Sequence, residues 1–164
     1  MALTVRRLNE GQRVTLLKHF LALPPKDRSM RFGAPIASAG IAAYVSRIDL
    51  DRDAVLGVQD DSRSLIAVAH VAVEDNAAEV ALSVLPPHRR RGIASALFRL
   101  ALAHARGTRV PMLVMCFLLA NAPILRIARK FGMHVAAVSG EASARLDLRQ
   151  PSPVAATGAS ASAA

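Results

Sequence analysis

The sequence predicts an α/β (α+β) sandwich in which a mostly antiparallel mixed central sheet carries helices on both faces. Three observations favour this fold class. Four segments have apolar residues at the spacing of an amphipathic helix. Three strand-like runs follow one another between residues 54 and 85, separated only by turn-forming residues, as in an antiparallel meander. From residue 92 onward, helical and strand-like segments alternate, which is typical of helices packed against a sheet.

The amino-terminal region is predicted to form a strand followed by two helices. Residues 3–7 alternate between apolar and polar, and Asn9 is placed to cap the first helix. The prolines at 24 and 25 end that helix, and residues 26–35 are predicted to be a loop with one turn at most. The apolar stripe of the first helix consists of Val14, Leu17, Phe20 and Leu21, and that of the second consists of Ile41, Val45 and Ile48.

The remaining elements are predicted as three strands, a helix, a strand, a helix and two strands. The meander consists of AVLGV, LIAVAHVAV and AEVALSVL. The helix over residues 92–106 is predicted to bury Ile93, Leu97, Leu100, Ala101 and Ala105. The last four elements are a strand over 110–117, a helix over 121–131 and two strands over 135–138 and 142–148.

The length of 164 residues suits a single domain, predicted to cover residues 1–149. Residues 150–164 consist mostly of Pro, Ser, Ala and Gly, so they are predicted to form a disordered tail. Every apolar stretch is shorter than the roughly 20 residues of a membrane span, and no secretory signal is evident. We therefore expect a cytoplasmic protein without a membrane partner. The single cysteine, Cys116, cannot form an internal disulfide, is predicted to be a buried apolar residue, and indicates no metal site.

The charge balance indicates an anionic partner. Lys and Arg number 21 against 12 acidic residues, which gives a formal net charge of +9, and arginine supplies nearly all of the excess. Nucleic acid, an anionic membrane surface and a phosphate-rich cofactor all fit that charge. The aromatic content of 4% and the lack of a basic recognition helix argue against nucleic acid.

The segment VLPPHRRRGIASAL, which begins at Val84, predicts an anion site. It runs from a strand through a short turn into a helix, and the first amides of a helix have no intrahelical partners. Gly92 and Ala94 leave the approach to this backbone open. Three consecutive arginines add guanidinium groups, which suit phosphate oxygens.

The pattern R-x-x-G-x-A after a strand ending in Val-x-Pro resembles the acyl-CoA signature Q/R-x-x-G-x-G/A of the GNAT family of N-acetyltransferases. Arg89, Gly92 and Ala94 occupy its fixed positions. The resemblance implies that the strand backbone at Ser83 and Val84 holds the acyl and pantetheine arm of coenzyme A. It also implies that the pyrophosphate binds the backbone amides of Arg90, Arg91, Gly92, Ile93, Ala94 and Ser95.

A second segment, NAPILRIARKFGM from Asn121 to Met133, resembles the N-x-x-A-x-x-L-Y-x-K-x-G-F segment of the same family. The resemblance implies that Asn121 contacts the pantetheine arm and that Gly132 ends the helix. Ala128 stands where the family often has a tyrosine that acts as general acid. The amino-terminal segment FLALPPKDRSMRFGAP resembles the GNAT domains of bacterial protein-lysine acetyltransferases.

Two residues are candidates for catalysis. Glu79 lies five positions before Val84, where many members of the family carry an acid that deprotonates the amine through water, although a glutamate at a strand edge is often only a surface residue. His70 interrupts an apolar run and is either catalytic or a core histidine with its ring nitrogens bonded. Tyr44, the only tyrosine, either lines the acceptor site or packs inside with its hydroxyl at the surface, and His88 either assists the phosphate contact or is merely exposed.

The sequence therefore predicts an acyl-CoA-dependent N-acyltransferase that passes an acetyl or similar group from acetyl-CoA to a primary amine. The acceptor is a small molecule or a protein lysine, and a homodimer is left open. A CoA-binding regulatory module without catalysis is the first alternative, because the tyrosine is missing. A nucleic-acid-binding protein is the second, because of the net charge.

Overall fold

The computed structural model of the protein describes residues 4–151, which contain one seven-stranded sheet and five α-helices. The strands are β1 (Val5–Arg7), β2 (Ala54–Gln59), β3 (Leu65–Val73), β4 (Ala77–Val84), β5 (Met112–Leu118), β6 (His134–Val138) and β7 (Glu141–Asp147). The helices are α1 (Arg13–Leu21), α2 (Pro25–Phe32), α3 (Ser38–Arg47), α4 (Ile93–Gly107) and α5 (Ala122–Lys130). Short 3-10 helices precede α1 (Glu10–Gln12) and α4 (Pro86–His88).

The sheet has the order β1-β2-β3-β4-β5-β7-β6. All neighbouring strands are antiparallel except β4 and β5, which are parallel. The crossover that parallel strands require runs through α4. The predicted meander of β2, β3 and β4 and the mixed, mostly antiparallel sheet are confirmed.

The helices cover both faces of the sheet, as predicted. Alternate residues of a strand point to opposite faces, so each strand contributes to two cores. One core joins α1 and α3 to the sheet and includes Leu16, Phe20, Ile41, Val45, Val55 and Val68. The other joins α4 and α5 to the sheet and includes Val80, Leu97, Phe98, Leu113, Met115 and Phe131.

The prediction of a loop over residues 26–35 is wrong, because residues 25 to 32 form α2. Pro25 occupies its first turn, where the missing N–H costs nothing and the fixed φ suits a helix. Asp27 adds a favourable charge to the same turn, and Gly33 ends the helix at a φ of 81°. A proline pair thus ends one helix and begins the next.

The structure also corrects two positions in the predicted helix stripes. Val14 is 65% exposed and Leu100 is 45% exposed, because both lie off the faces of α1 and α4 that contact the sheet. Phe98 and Leu102 are buried on α4 instead. The stripe Ile41, Val45 and Ile48 is confirmed as buried.

The prediction that Cys116 is buried is wrong, because its side chain is exposed. It projects from β5 on the face opposite Met115 and Phe117, which are buried against α4 and α5. Burial and the nearby Glu79 carboxylate still raise the pKa of its thiol.

The chain ends lie largely outside the described residues. Leu3, predicted to begin the first strand, and the tail beyond Pro151 fall there. Between residues 4 and 151, none of the helices combines the length and the apolar composition needed to cross a bilayer.

Candidate functional site

A cavity of about 770 Å³ opens between α2, the end of β4, and the starts of α4 and α5. Its charged side chains are mostly basic. The lining residues of α2 and the segment before it are Leu23, Lys26, Asp27, Met30 and Arg31. Those of β4 and the following turn are Leu82, Ser83, Val84, Pro86, His88, Arg89 and Arg90, and those of the two helix starts include Gly92, Ile93, Ala94, Ser95, Asn121, Ile124 and Arg126.

Two parallel strands separate beside this cavity. β4 and β5 pair only through three residue pairs, the last of which joins Glu79 to Val114. β4 nevertheless continues to Val84, and β5 continues to Leu118. Beyond Glu79, the edge of β4 that faces β5 therefore has no strand partner, and its backbone groups remain free for another partner. α2 contacts both strands and so crosses the region where they separate.

The amino terminus of α4 points into the cavity without a side-chain cap. Gly92, its N-cap, has a φ of 75°, and the first backbone bond of the helix runs from the Ala96 N–H to the Gly92 oxygen at 3.0 Å. The amides of residues 93–95 precede that bond and have no intrahelical acceptor. A Cβ placed on Gly92 would meet nothing within 4 Å, so the space before these amides is open. The site can accept an anion.

Arg89 holds the turn before α4 in place. Its Nε donates to the Val84 oxygen at 2.9 Å, and its Nη2 lies 2.8 Å from Oδ2 of Asp27 on α2. The side chain thereby connects the end of β4, the turn and α2. Asp27 is the one carboxylate among the lining residues, and this ion pair uses it.

Ser83 on β4 is fixed by a buried histidine of α1. His19 Nδ1 lies 2.8 Å from the Leu65 oxygen, and Nε2 lies 2.8 Å from the Ser83 hydroxyl. A carbonyl only accepts, so Nδ1 carries the hydrogen and the Ser83 hydroxyl donates to Nε2. Burial lowers the pKa of His19 to about 4, so the imidazole is neutral at pH 7.

A chain of four polar side chains from four parts of the fold, the Arg31 cluster, reaches the cavity. It consists of Arg31, Tyr44, His70 and Asp53. His70 Nε2 donates to the Asp53 carboxylate at 2.9 Å, and Nδ1 accepts from the Tyr44 hydroxyl at 2.6 Å. Arg31 Nη2 donates to the Tyr44 oxygen at 2.8 Å. Burial lowers the pKa of His70, against the opposing effect of Asp53.

Nine of the ten residues predicted to bind the cofactor line this one cavity, and Arg91 is exposed outside it. Asn121 caps α5 by accepting from the Ile124 N–H at 3.4 Å, and it donates to the Met30 oxygen at 3.4 Å. Glu79, the candidate base, is exposed at the last β4–β5 pair and does not line the cavity.

The structure gives the surroundings of three other candidates. His70 has both ring nitrogens bonded. Tyr44 is half-buried, and its hydroxyl is bonded to Arg31 and His70. His88 lines the cavity beside the turn.

Sequence reasoning missed Arg31, His19 and Asp53. Asp53 is 46 residues from Arg7, which donates to its backbone oxygen, and His19 is 64 residues from Ser83. Nothing in the local sequence indicates such pairs. Within residues 4–151, no group of three or more His, Cys, Asp or Glu side chains is arranged to hold a metal ion.

Several solved structures of acetyltransferases share this fold. The chain superposes on the GNAT domain of S. lividans PAT with a TM-score of 0.75 and 20% identity, covering 88% of this chain and 90% of that one. Spermidine N-acetyltransferase from Vibrio cholerae, solved with CoA and spermine, gives a TM-score of 0.69 and 16% identity, with 90% and 96% covered. Phosphinothricin acetyltransferase from Sinorhizobium meliloti, solved with acetyl-CoA, gives 0.69 and 16%, with 90% and 89% covered.

The family itself is established from the sequence profile. Residues 28–133 match the acetyltransferase (GNAT) family, which is more than half of the chain, so the protein belongs to that family of N-acetyltransferases. Comparison with curated proteins finds no significant match.

Proposed function

We propose that the protein transfers the acetyl group of acetyl-CoA to a primary amine by direct attack in a ternary complex. The observation that carries this proposal is the uncapped start of α4 beside the separation of β4 and β5. Both features offer unpaired backbone groups to one cavity. Acetyl-CoA, when bound, supplies an activated thioester with an anionic pyrophosphate.

The residues present fit such a ligand. The amides of residues 93–95, the positive end of the helix dipole and the guanidinium of Arg90 favour the pyrophosphate. The free edge of β4 at Ser83 and Val84 suits the amide groups of the pantetheine arm. Asn121, the N-cap of α5, lines the same cavity. Arg89 acts by holding the turn, because its guanidinium is already bonded to Val84 and Asp27.

We propose Glu79 as the group that takes the proton of the amine, through water. It is exposed where β4 and β5 separate, on the same sheet face as Ser83, and its carboxylate is close enough to Cys116 to raise the pKa of that thiol. His70 is less suited to this role, because its ring nitrogens are bonded and its pKa is lowered. It contributes as a positioning residue through Tyr44.

The departing thiolate receives no proton from position 128, where the family often has a tyrosine. Ala128 is fully buried in the core that joins α4 and α5 to the sheet, and its methyl side chain carries no hydroxyl. A thiolate is a good leaving group, and we propose that water protonates it.

The experiment combines binding and turnover. Calorimetric titration with acetyl-CoA and desulfo-CoA should give similar affinities. When amines and lysine peptides are offered with acetyl-CoA, one CoA thiol should be released for each amine that is acetylated. Glu79→Gln is expected to lower kcat about 10- to 100-fold with an unchanged affinity for CoA. Glu141→Gln, which removes an exposed carboxylate from the nearby β7, is the control and should retain activity.

A CoA-binding module without catalysis is the second candidate function, and Ala128 is the observation that favours it. Tight binding of both ligands, with no acetylated product from any amine, would support that candidate. Absence of binding would contradict both. We propose that the protein acts in the cytoplasm. We also propose that its function involves no nucleic acid, membrane or metal.

A further inference from the structure

Arg31 is a cation of the cavity whose charge is not neutralised by any side chain between residues 4 and 151. It lies near the carboxyl end of α2 and lines the cavity. Of its five N–H donors, one is used, by Nη2 to the Tyr44 hydroxyl at 2.8 Å. Its Nε is buried without a hydrogen-bond partner. Among the residues that the structure describes, no carboxylate lies within 4.0 Å of this guanidinium.

The surroundings of Arg31 are neutral but orient it. Its guanidinium carbon lies 5.3 Å from the ring centre of Phe20, 4.8 Å from that of Phe32 and 5.5 Å from that of Tyr44. Such contacts of a cation with aromatic faces fix its position without pairing its charge. Its positive charge also contributes to the lowered pKa values of the buried His19 and His70.

Arg31 is connected to the sheet beside the cavity through two other side chains. Tyr44 connects it to His70 on β3, and His70 pairs with Ala81 on β4. Ala81 lies two residues before Ser83, or about 7 Å along the strand, in the direction of Glu79. α2 itself contacts both β4 and β5, so Arg31 belongs to the helix that crosses the place where these strands separate. The amides that suit the pyrophosphate belong to a different element, the start of α4.

The remaining charges of the cavity do not favour a polycationic acceptor. The lining side chains include several lysines and arginines but only one carboxylate, Asp27, which is paired with Arg89 at 2.8 Å. A polyamine would find no unpaired carboxylate among the lining residues. An acceptor that brings its own carboxylate would neutralise Arg31 by a charge-assisted hydrogen bond.

We propose that Arg31 selects an acceptor that carries a carboxylate next to its amine, an amino acid or a close analogue. This inference rests on the proposed acetyl transfer. Arg31 binds the carboxylate of the acceptor. The hydrogen bond to Tyr44 and the rings of Phe20 and Phe32 hold the planar guanidinium of Arg31 in place. The amine of the acceptor is thereby directed toward the end of β4.

The test uses acceptors that differ by a single carboxylate. Lysine and cadaverine, ornithine and putrescine, and phenylalanine and phenethylamine are such pairs, and spermidine extends the series without a carboxylate. Phenylalaninamide controls for the basicity of the amine, because its α-amide withdraws electrons but carries no charge. Initial rates of acetylation are measured for each compound with saturating acetyl-CoA.

The variant is Arg31→Met, which keeps an apolar stem against the aromatic rings and removes the charge. Lys26→Met is the matched control, because it removes one positive charge from the same helix and cavity. In the unaltered protein, kcat/KM for at least one carboxylated acceptor should be about tenfold or more above that for the matching amine without a carboxylate. For phenylalanine, the same difference should hold against phenylalaninamide. Arg31→Met should remove that preference mainly through KM, with the affinity for desulfo-CoA within about twofold. Lys26→Met should retain the preference.

Several results would overturn this inference. Equal or greater activity on the amines without a carboxylate would do so, as would an Arg31→Met variant that weakens desulfo-CoA binding and all acceptors alike. Binding of acetyl-CoA with acetylation of lysine peptides but of no amino acid would also overturn it and leave the proposed function intact. Absence of any acetyl transfer would contradict the proposed function itself.

Discussion

The two ends of the cavity are built in different ways. At one end, the turn and helix start from Arg89 to Ser95 are contiguous, and their geometry follows from one glycine and one helix. At the other end, the Arg31 cluster joins α2, α3, β3 and the residue before β2 through three hydrogen bonds. A contiguous site depends on local backbone geometry, whereas an assembled site depends on packing of the whole domain. The two ends should therefore respond differently to substitution.

The largest effect is expected for Gly92→Val. A β-branched side chain strains the backbone at a φ of 75° and projects into the space in front of the α4 amides. We expect the affinity for desulfo-CoA to fall more than about a thousandfold, or about 4 kcal/mol. Calorimetric titration measures the loss.

Gly140→Val is the matched control for strain, because Gly140 has a φ of 83° and equally open surroundings in the turn between β6 and β7. It should lower stability to a similar extent and bind desulfo-CoA normally. Undiminished binding by Gly92→Val would show that the cofactor does not use this helix start.

The next effect concerns His19 and the stability of the fold at low pH. Burial lowers the pKa of His19 from its ordinary value of 6.5 to about 4, so between these values the unfolded chain binds a proton that the folded chain does not. The free energy of unfolding should therefore decrease as the pH falls from 7 to 4, by about 3 kcal/mol from this residue.

Urea unfolding across this pH range, compared between the unaltered protein and His19→Asn, isolates the contribution. Asparagine retains a donor for the Leu65 oxygen but does not titrate. The variant should be less stable at pH 7 and show a shallower dependence on pH. Parallel curves for the two proteins would contradict the assignment.

Asp53→Ala tests the assembled end alone. Asp53 is 3% exposed and accepts the Nε2 hydrogen of His70, so its removal leaves a buried donor without a partner. We expect a loss of about 2 kcal/mol in the free energy of unfolding, with the affinity for desulfo-CoA unchanged. Asp51→Ala, at an exposed position in the same segment, is the control. A parallel loss of CoA affinity would show that the two ends are not independent.

The smallest effect is expected for Arg91→Ala. Arg91 is exposed and does not line the cavity, so its charge acts on a bound phosphate only at a distance and through solvent. Its removal should weaken binding less than about threefold, and salt should abolish the difference. Arg89→Ala should have a larger effect that persists in salt, because that side chain holds the turn. Equal effects of the two changes would contradict this distinction.

The sequence by itself determined the elements whose signals are local. The meander, the helix after Gly92 and the helix after Asn121 follow from apolar periodicity and from turn residues that act over a few positions. The turn and helix start were recognisable because all their residues are contiguous. Nine of the ten residues predicted to bind the cofactor consequently meet at one cavity.

Only the tertiary structure decided the rest. The proline pair was compatible with either a loop or a new helix, and α2 forms because it packs across β4 and β5. The exposure of Cys116 depends on which face of β5 the helices cover. Arg31, Tyr44, His70 and Asp53 are brought together by strand register and helix packing, which depend on contacts between distant parts of the chain. Local propensity carries no information about such contacts, because their energy exists only once the whole domain has folded.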